Sequence, residues 1–193
     1  MKKIIYSLII GTIMLLIFLC FSCIIYLRNS TFLELCSMYT YSRSPQILRY
    51  LALKQIKSRN SKDIFAEHSL RKYAQPILHT YMMHSPEGLA LNKYPQNYAA
   101  TTIPESTLEI GKILLKKGVP VDFMDSKKGT ALQQSVFLNQ PNAVQFLLQN
   151  GAKKDIPMPE FYKECATHLP LDCAKLRDKK IADYTKIIEL LSN

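Results

Sequence analysis

Lys112-Ile113-Leu114-Leu115-Lys116-Lys117-Gly118-Val119-Pro120-Val121-Asp122 is echoed by Gln145-Phe146-Leu147-Leu148-Gln149-Asn150-Gly151-Ala152-Lys153-Lys154-Asp155. Each residue of the first run lies 33 positions before its counterpart, and Leu-Leu, Gly and Asp recur in register. A fixed period of this size marks stacked supersecondary units, each too small to bury its apolar face alone. The apolar residues before each Gly recur at helical spacing, and the Gly supplies the positive φ on which a helix commonly ends.

Working outward, Thr130-Ala131-Leu132-Gln133-Gln134-Ser135-Val136 precedes the second run, Asn139 interrupts it, and Val144, Leu147, Leu148, Gly151 and Ala152 follow. This layout resembles the ankyrin repeat, whose units open with T-P-L-H-x-A-A, pass through a Gly, place Val before Leu-Leu and close with Gly-Ala. Leu169-Pro170-Leu171-Asp172-Cys173-Ala174 begins a third copy that ends with Ile187, Leu190 and Leu191, its helix-to-helix connection about four residues longer. Before residue 112 the pattern fails. The resemblance implies an all-α ankyrin-repeat helical solenoid of about three to four units, the first ones degenerate, with Leu132, Val144, Leu147 and Leu148 in the seam between helix pairs.

The other end of the chain reads differently. Ile4 to Leu27 contains no charged residue in 24 positions, enough to cross the roughly 30 Å hydrocarbon core of a bilayer. A single N-terminal transmembrane or signal helix is expected, and an uncleaved signal anchor fits better than a signal peptide, whose apolar region is only about 7–15 residues. Cys23, preceded by Ser22, is a candidate for lipidation under the alternative lipoprotein reading. Lys2 and Lys3 precede the span and only Arg28 closely follows it, so the body is expected on the outer side, the periplasm of a Gram-negative cell. The organisation is therefore a signal anchor over 1–28, a juxtamembrane linker over 29–45 that reads equally as a short helix leaving the membrane, a helical region of degenerate or non-standard repeats over 46–106 and ankyrin repeats with a C-terminal cap over 107–193. Within 46–106, helical patterns run from Gln46 to Arg59 and from Ser61 to Met82, the latter kinked or divided at Pro76.

Net charge is +10 over 193 residues. Eight basic residues between Tyr41 and Gln75 face only Asp63 and Glu67, which favours an acidic protein surface or anionic lipid as partner. An outward-facing anchored body makes nucleic acid an unlikely target. Cys36, Cys165 and Cys173 lie outside the span; Cys165 and Cys173 are the nearer pair, and buried unpaired thiols are the favoured reading.

Catalytic signatures are missing from the sequence. It holds no phosphate-cradling glycine motif, no G-x-S-x-G and no H-E-x-x-H, and its four His have no metal-dictating spacing. No enzyme, cofactor or metal is expected. Glu164, Cys165 and His168 are close in sequence, but a long insertion between repeats is a poor setting for a preorganised nucleophile.

The ankyrin resemblance implies a protein-binding module that uses loop tips and the exposed side of first helices. Carried over by position, the partner-binding residues are Asp125, Lys127, Lys128, Gln133, Gln134, Phe137, Gln140, Lys153 and Lys154. Small anchored ankyrin proteins of bacteria include immunity proteins that neutralise phospholipase effectors of type VI secretion systems, so a toxin with an acidic surface is the expected partner, with no obligate homo-oligomer. The alternatives are an envelope scaffold or chaperone-like adaptor for a partner enzyme, and a basic module that binds anionic lipid.

Overall fold

The computed structural model describes residues 2–69, 78, 102–124 and 129–193. Most of these residues are in helices, with no strand among them. The elements are α1 (Lys2–Asn29), α2 (Phe32–Thr40), α3 (Gln46–Ser58), α4 (Ser61–Ser69), α5 (Glu105–Lys116), α6 (Ala131–Phe137), α7 (Pro141–Gln149), a short 3-10 segment (Glu160–Cys165), α8 (Pro170–Lys180) and α9 (Thr185–Ser192). The kink expected at Pro76 and most of the irregular stretch before Pro104 lie outside the described residues.

The α1 helix is 28 residues long, about 42 Å at 1.5 Å per residue. From Ile9 to Tyr26 its side chains are exposed apart from Cys23, an uncovered apolar surface that water does not favour. By length and composition Ile9–Asn29 can cross a membrane, a test that a signal sequence also passes. The last turn behaves differently: Leu27 is buried and Cys23 packs against the core of the body.

Within the stretch read as a linker or short helix, residues 32–40 form a helix of the core. In α2, Phe32, Leu33, Leu35, Cys36, Tyr39 and Thr40 are buried, and the helix packs on α3. Thr31 and Glu34 form a capping box, and Glu67 of α4 accepts from the Phe32 and Leu33 amides at 2.6 and 3.2 Å. A carboxylate at a helix N-terminus complements the amide dipoles as well as satisfying them. Arg59 does the converse at the end of α1, donating to the Arg28 carbonyl at 2.9 Å and the Ser30 carbonyl at 2.7 Å. Tyr39 donates to the Glu109 carboxylate and so ties α2 to α5. Burial, and then the Glu109 contact, push its phenol up to about 12.

The sequence duplication is also a duplication of backbone geometry. α5 and α7 end 33 positions apart, at Lys116 and Gln149. Gly118 and Gly151 follow with φ of +84° and +85°. In both, the Gly amide donates to the carbonyl three residues back and the next amide to the carbonyl five back: Val119 to Leu114 at 3.1 Å and Ala152 to Leu147 at 3.0 Å. This is the Schellman end, which needs a residue free to enter left-handed space. Asn139 takes the same role after α6, with φ of 54° and the Gln140 amide on the Ser135 carbonyl.

α6 and α7 pack as a pair, as do α8 and α9, and the pairs stack with α6 on α8 and α7 on α9. Leu132, Val144, Leu147, Ile187 and Leu191 are buried in the seam. The four additional residues of the last unit extend its first helix, since α8 has 11 residues and α6 has 7. One apolar cluster runs from Leu27 through Ile56, Ile110 and Leu147 to Leu191, so the end of α1, α2–α5 and the stacked pairs share a core.

Candidate partner-binding surface

Thr130 starts α6 with a capping box, its hydroxyl accepting from the Gln133 amide while the Gln133 side chain accepts from the Thr130 amide. That reciprocal cap turns Gln133 back toward the chain. Its amide nitrogen then donates to the Ile156 and Pro157 carbonyls at 3.0 and 2.7 Å. The Gln134 carbonyl oxygen accepts from the Tyr162 hydroxyl. Residues 156–168 thus fold over the first helix of the unit that precedes them.

The insertion is closed on itself and fastened. Met158 donates to the His168 carbonyl at 2.8 Å and Thr167 to the Met158 carbonyl at 3.0 Å. Cys165 and Cys173 form a disulfide that ties the 3-10 segment to α8, which replaces the expectation of unpaired thiols; Cys36 is free and buried. Closing a loop of this size contributes roughly 2–3 kcal/mol. Met158, Tyr162, Cys165 and Cys173 make a second small core, and Phe137 packs against it with its ring 4.6 Å from that of Tyr162.

Beneath this core lies Arg177, its side chain 1% exposed. Its guanidinium stacks 4.1 Å from the Phe137 ring centroid, donates from Nε to the Tyr184 hydroxyl at 2.8 Å and meets Glu164 at 3.4 Å. Tyr184 in turn donates to the Phe137 carbonyl at 3.1 Å. One buried cation therefore joins α6, the insertion, α8 and the start of α9.

The predicted contact residues separate into three groups. Gln133, Gln134 and Gln140 are buried, a correction to their expected exposure: the insertion and the Thr130 cap use the side chains of Gln133 and Gln134, and Gln140 sits in the turn between α6 and α7 with its backbone amide on the Ser135 carbonyl. Phe137 is half-buried between Tyr162 and Arg177, so it packs within the chain. Lys153 and Lys154 are exposed: the Lys153 amide donates to Asp122 of the preceding unit at 3.1 Å, and the Lys154 ammonium to the Leu191 carbonyl at 3.1 Å. Asp125, Lys127 and Lys128 lie outside the described residues.

Sequence reasoning put the insertion from Pro157 to His168 on the binding edge without singling out Phe161, which is 42% exposed, and read Leu169, 40% exposed, only as the start of a repeat. The clue available was an aromatic-rich stretch, Phe161-Tyr162, inside an insertion too apolar to be a plain solvated loop. Cys165 carries no thiol, so Glu164, Cys165 and His168 do not form a nucleophilic set. No group of three or more His, Cys, Asp or Glu side chains able to hold a metal occurs among the described residues. No family model, curated protein or solved structure matches this chain.

Proposed function

We propose that this chain is a membrane-tethered, ankyrin-like protein-binding module, an immunity protein that binds and neutralises a secreted phospholipase toxin on the periplasmic side of the inner membrane. The observation that carries the binding-module reading is the 33-residue duplication, repeated in sequence, helix ends and cap hydrogen bonds. Stacked units of this kind offer an extended rigid surface and no preorganised pocket chemistry. The disulfide supports an oxidising compartment, and the uncovered apolar face of α1 supports a bilayer around it.

The contact edge on this reading comprises Lys153 and Lys154, the sequence-nominated Asp125, Lys127 and Lys128, and the exposed apolar side chains of Phe161 in the insertion and Leu169 just before α8. An exposed aromatic side chain and exposed basic side chains each suit an acidic partner surface. Tethering adds effective concentration where a lipid-cleaving enzyme must act. The toxin assignment rests on the likeness to anchored bacterial immunity proteins, since a repeat scaffold by itself does not select a partner.

Growth provides the test. A secreted lipase is expected to be encoded beside this chain, and directing that lipase to the periplasm stops growth. Co-expression of the full chain should restore growth. Replacing Lys153 and Lys154 by Glu should abolish the rescue while leaving the amount of membrane-bound chain unchanged. Arrest in the presence of abundant wild-type chain overturns the reading.

A further inference from the structure

Lys57 from the end of α3 and Glu109, Lys112, Ile113, Lys116 and Lys117 from α5 line an open groove of about 400 Å³. The four lysines have different occupations. Lys117 donates from Nζ to the Lys57 carbonyl at 2.8 Å and to the Arg59 carbonyl, so it closes the C-terminal end of α3. Burial pulls its ammonium below the ordinary lysine range. It positions the two helices and is not available to a ligand.

Lys57, Lys112 and Lys116 remain. The Lys57 ammonium stands 3.6 Å from Glu109, the Lys112 ammonium 2.8 Å from Glu105, and both side chains are more than half exposed. Exposed pairs of this kind are worth at most about 1 kcal/mol, so an entering anion competes with them easily. Lys116 is exposed. Three available cations against the single lining carboxylate give the groove a net positive field, and its volume lies within the range of small-ligand sites.

Its place relative to α1 narrows the ligand. The exposed apolar surface of α1 ends at Ile25 and Tyr26, and Leu27 is already buried in the body. Tyrosine at this position suits the level where hydrocarbon gives way to headgroups. Arg59 bridges that level to the groove, with its guanidinium on the Arg28 and Ser30 carbonyls and its own carbonyl on Lys117. With α1 in a bilayer, the groove is separated from the exit turn by one arginine side chain. The headgroup layer is about 5–8 Å deep on each face, and anionic headgroups attract nearby basic residues by about 1 kcal/mol each.

We propose that the groove between α3 and α5 binds one phosphate anion, the phosphodiester of an anionic lipid headgroup, through Lys57, Lys112 and Lys116. Lysine serves here as a point charge for a phosphate approached from the open side. Bound lipid fixes the body against the membrane face, whatever protein it meets. The site depends on α1 lying in a bilayer and not on the identity of any partner.

The test uses the full chain in neutral detergent micelles and follows its thermal unfolding. Titrated phosphatidylglycerol should raise the midpoint saturably, whereas phosphatidylcholine and inorganic phosphate at the same concentrations should not. The double variant Lys112→Gln/Lys116→Gln should keep the lipid-free midpoint and weaken the apparent affinity for phosphatidylglycerol at least tenfold. Lys179→Gln/Lys180→Gln removes the same charge from the exposed end of α8 and should leave that affinity unchanged. Equal losses in the two double variants would mean diffuse attraction and overturn the site. Equal stabilisation by inorganic phosphate would overturn the lipid source.

Discussion

Replacing Arg177 by Ala lowers stability by about 3–5 kcal/mol, the range for truncating a large, fully buried side chain to Ala. For a chain of this size the unfolding midpoint falls by roughly 6–20 °C. Three losses combine. The Phe137 ring loses the guanidinium plane 4.1 Å from its centroid, the Tyr184 hydroxyl loses the Nε donor at 2.8 Å, and a cavity opens among residues that are themselves buried. Glu164 loses less, because its side chain is 61% exposed and water replaces the contact. Arg177→Lys should recover only part of the loss, since an ammonium neither stacks as a plane nor reproduces the Nε geometry. Arg177→Met, which fills the volume without a charge to desolvate, should recover more than Arg177→Lys. Thermal unfolding of the four proteins in the same detergent checks this order. An Ala variant within about 0.5 kcal/mol of wild type would mean that the insertion is not held by this residue.

Leu35→Asp should cost at least about 4 kcal/mol, a large share of the 5–15 kcal/mol that holds an ordinary domain together. Leu35 is 0% exposed in the α2–α3 interface, and the basic side chain that crosses it, Arg49, is already engaged by the Tyr39 carbonyl at 2.9 Å. Leu35→Met, which conserves volume, should cost less than about 1.5 kcal/mol. If residues 29–45 were a linker, both substitutions would be silent. Limited proteolysis of the membrane-bound chain distinguishes the two outcomes: rapid cleavage within the body of Leu35→Asp is expected, and a wild-type pattern would restore the linker.

These two sites also show where sequence reading stops. The repeat was legible because its signals are local: a Gly at the helix end, Leu-Leu one turn before it and a Thr cap all act within a few residues of themselves. In α2 a local signal was present, the Thr31-Phe32-Leu33-Glu34 capping box before apolar Leu35, Cys36 and Tyr39, but nine residues of mixed polarity look like a tether until α3 covers them. The insertion had no regular period to read. Its 3-10 segment folds back over α6 through contacts 23 to 28 positions apart in sequence, from Gln133 to Ile156 and from Gln134 to Tyr162. Polar side chains read as outward-facing when the group that satisfies them is distant in sequence, and Gln133 and Gln134 are that case. Arg177 is similar: a basic residue on a helix with Lys175, Lys179 and Lys180 gives no local hint that it alone is buried.

The anchor and the body are coupled more closely than a flexible tether would allow. Leu27 enters the shared core and Arg59 closes the end of α1, so α1 is fixed to the body at its last turn. Under the proposed function, with α1 in a bilayer, this would confine the contact edge to the layer in which a lipid-cleaving partner works. Affinity then need not be extreme, because local concentration supplies part of it.

Lipid hydrolysis measured on vesicles tests this account most directly. The full chain is reconstituted into phosphatidylglycerol-containing vesicles, and a secreted phospholipase of the proposed toxin class is added from outside. The account predicts that outward-facing chain, at a molar excess over lipase, lowers the hydrolysis rate at least tenfold relative to empty vesicles. An unchanged rate, with the chain shown to be folded and outward-facing, would contradict it.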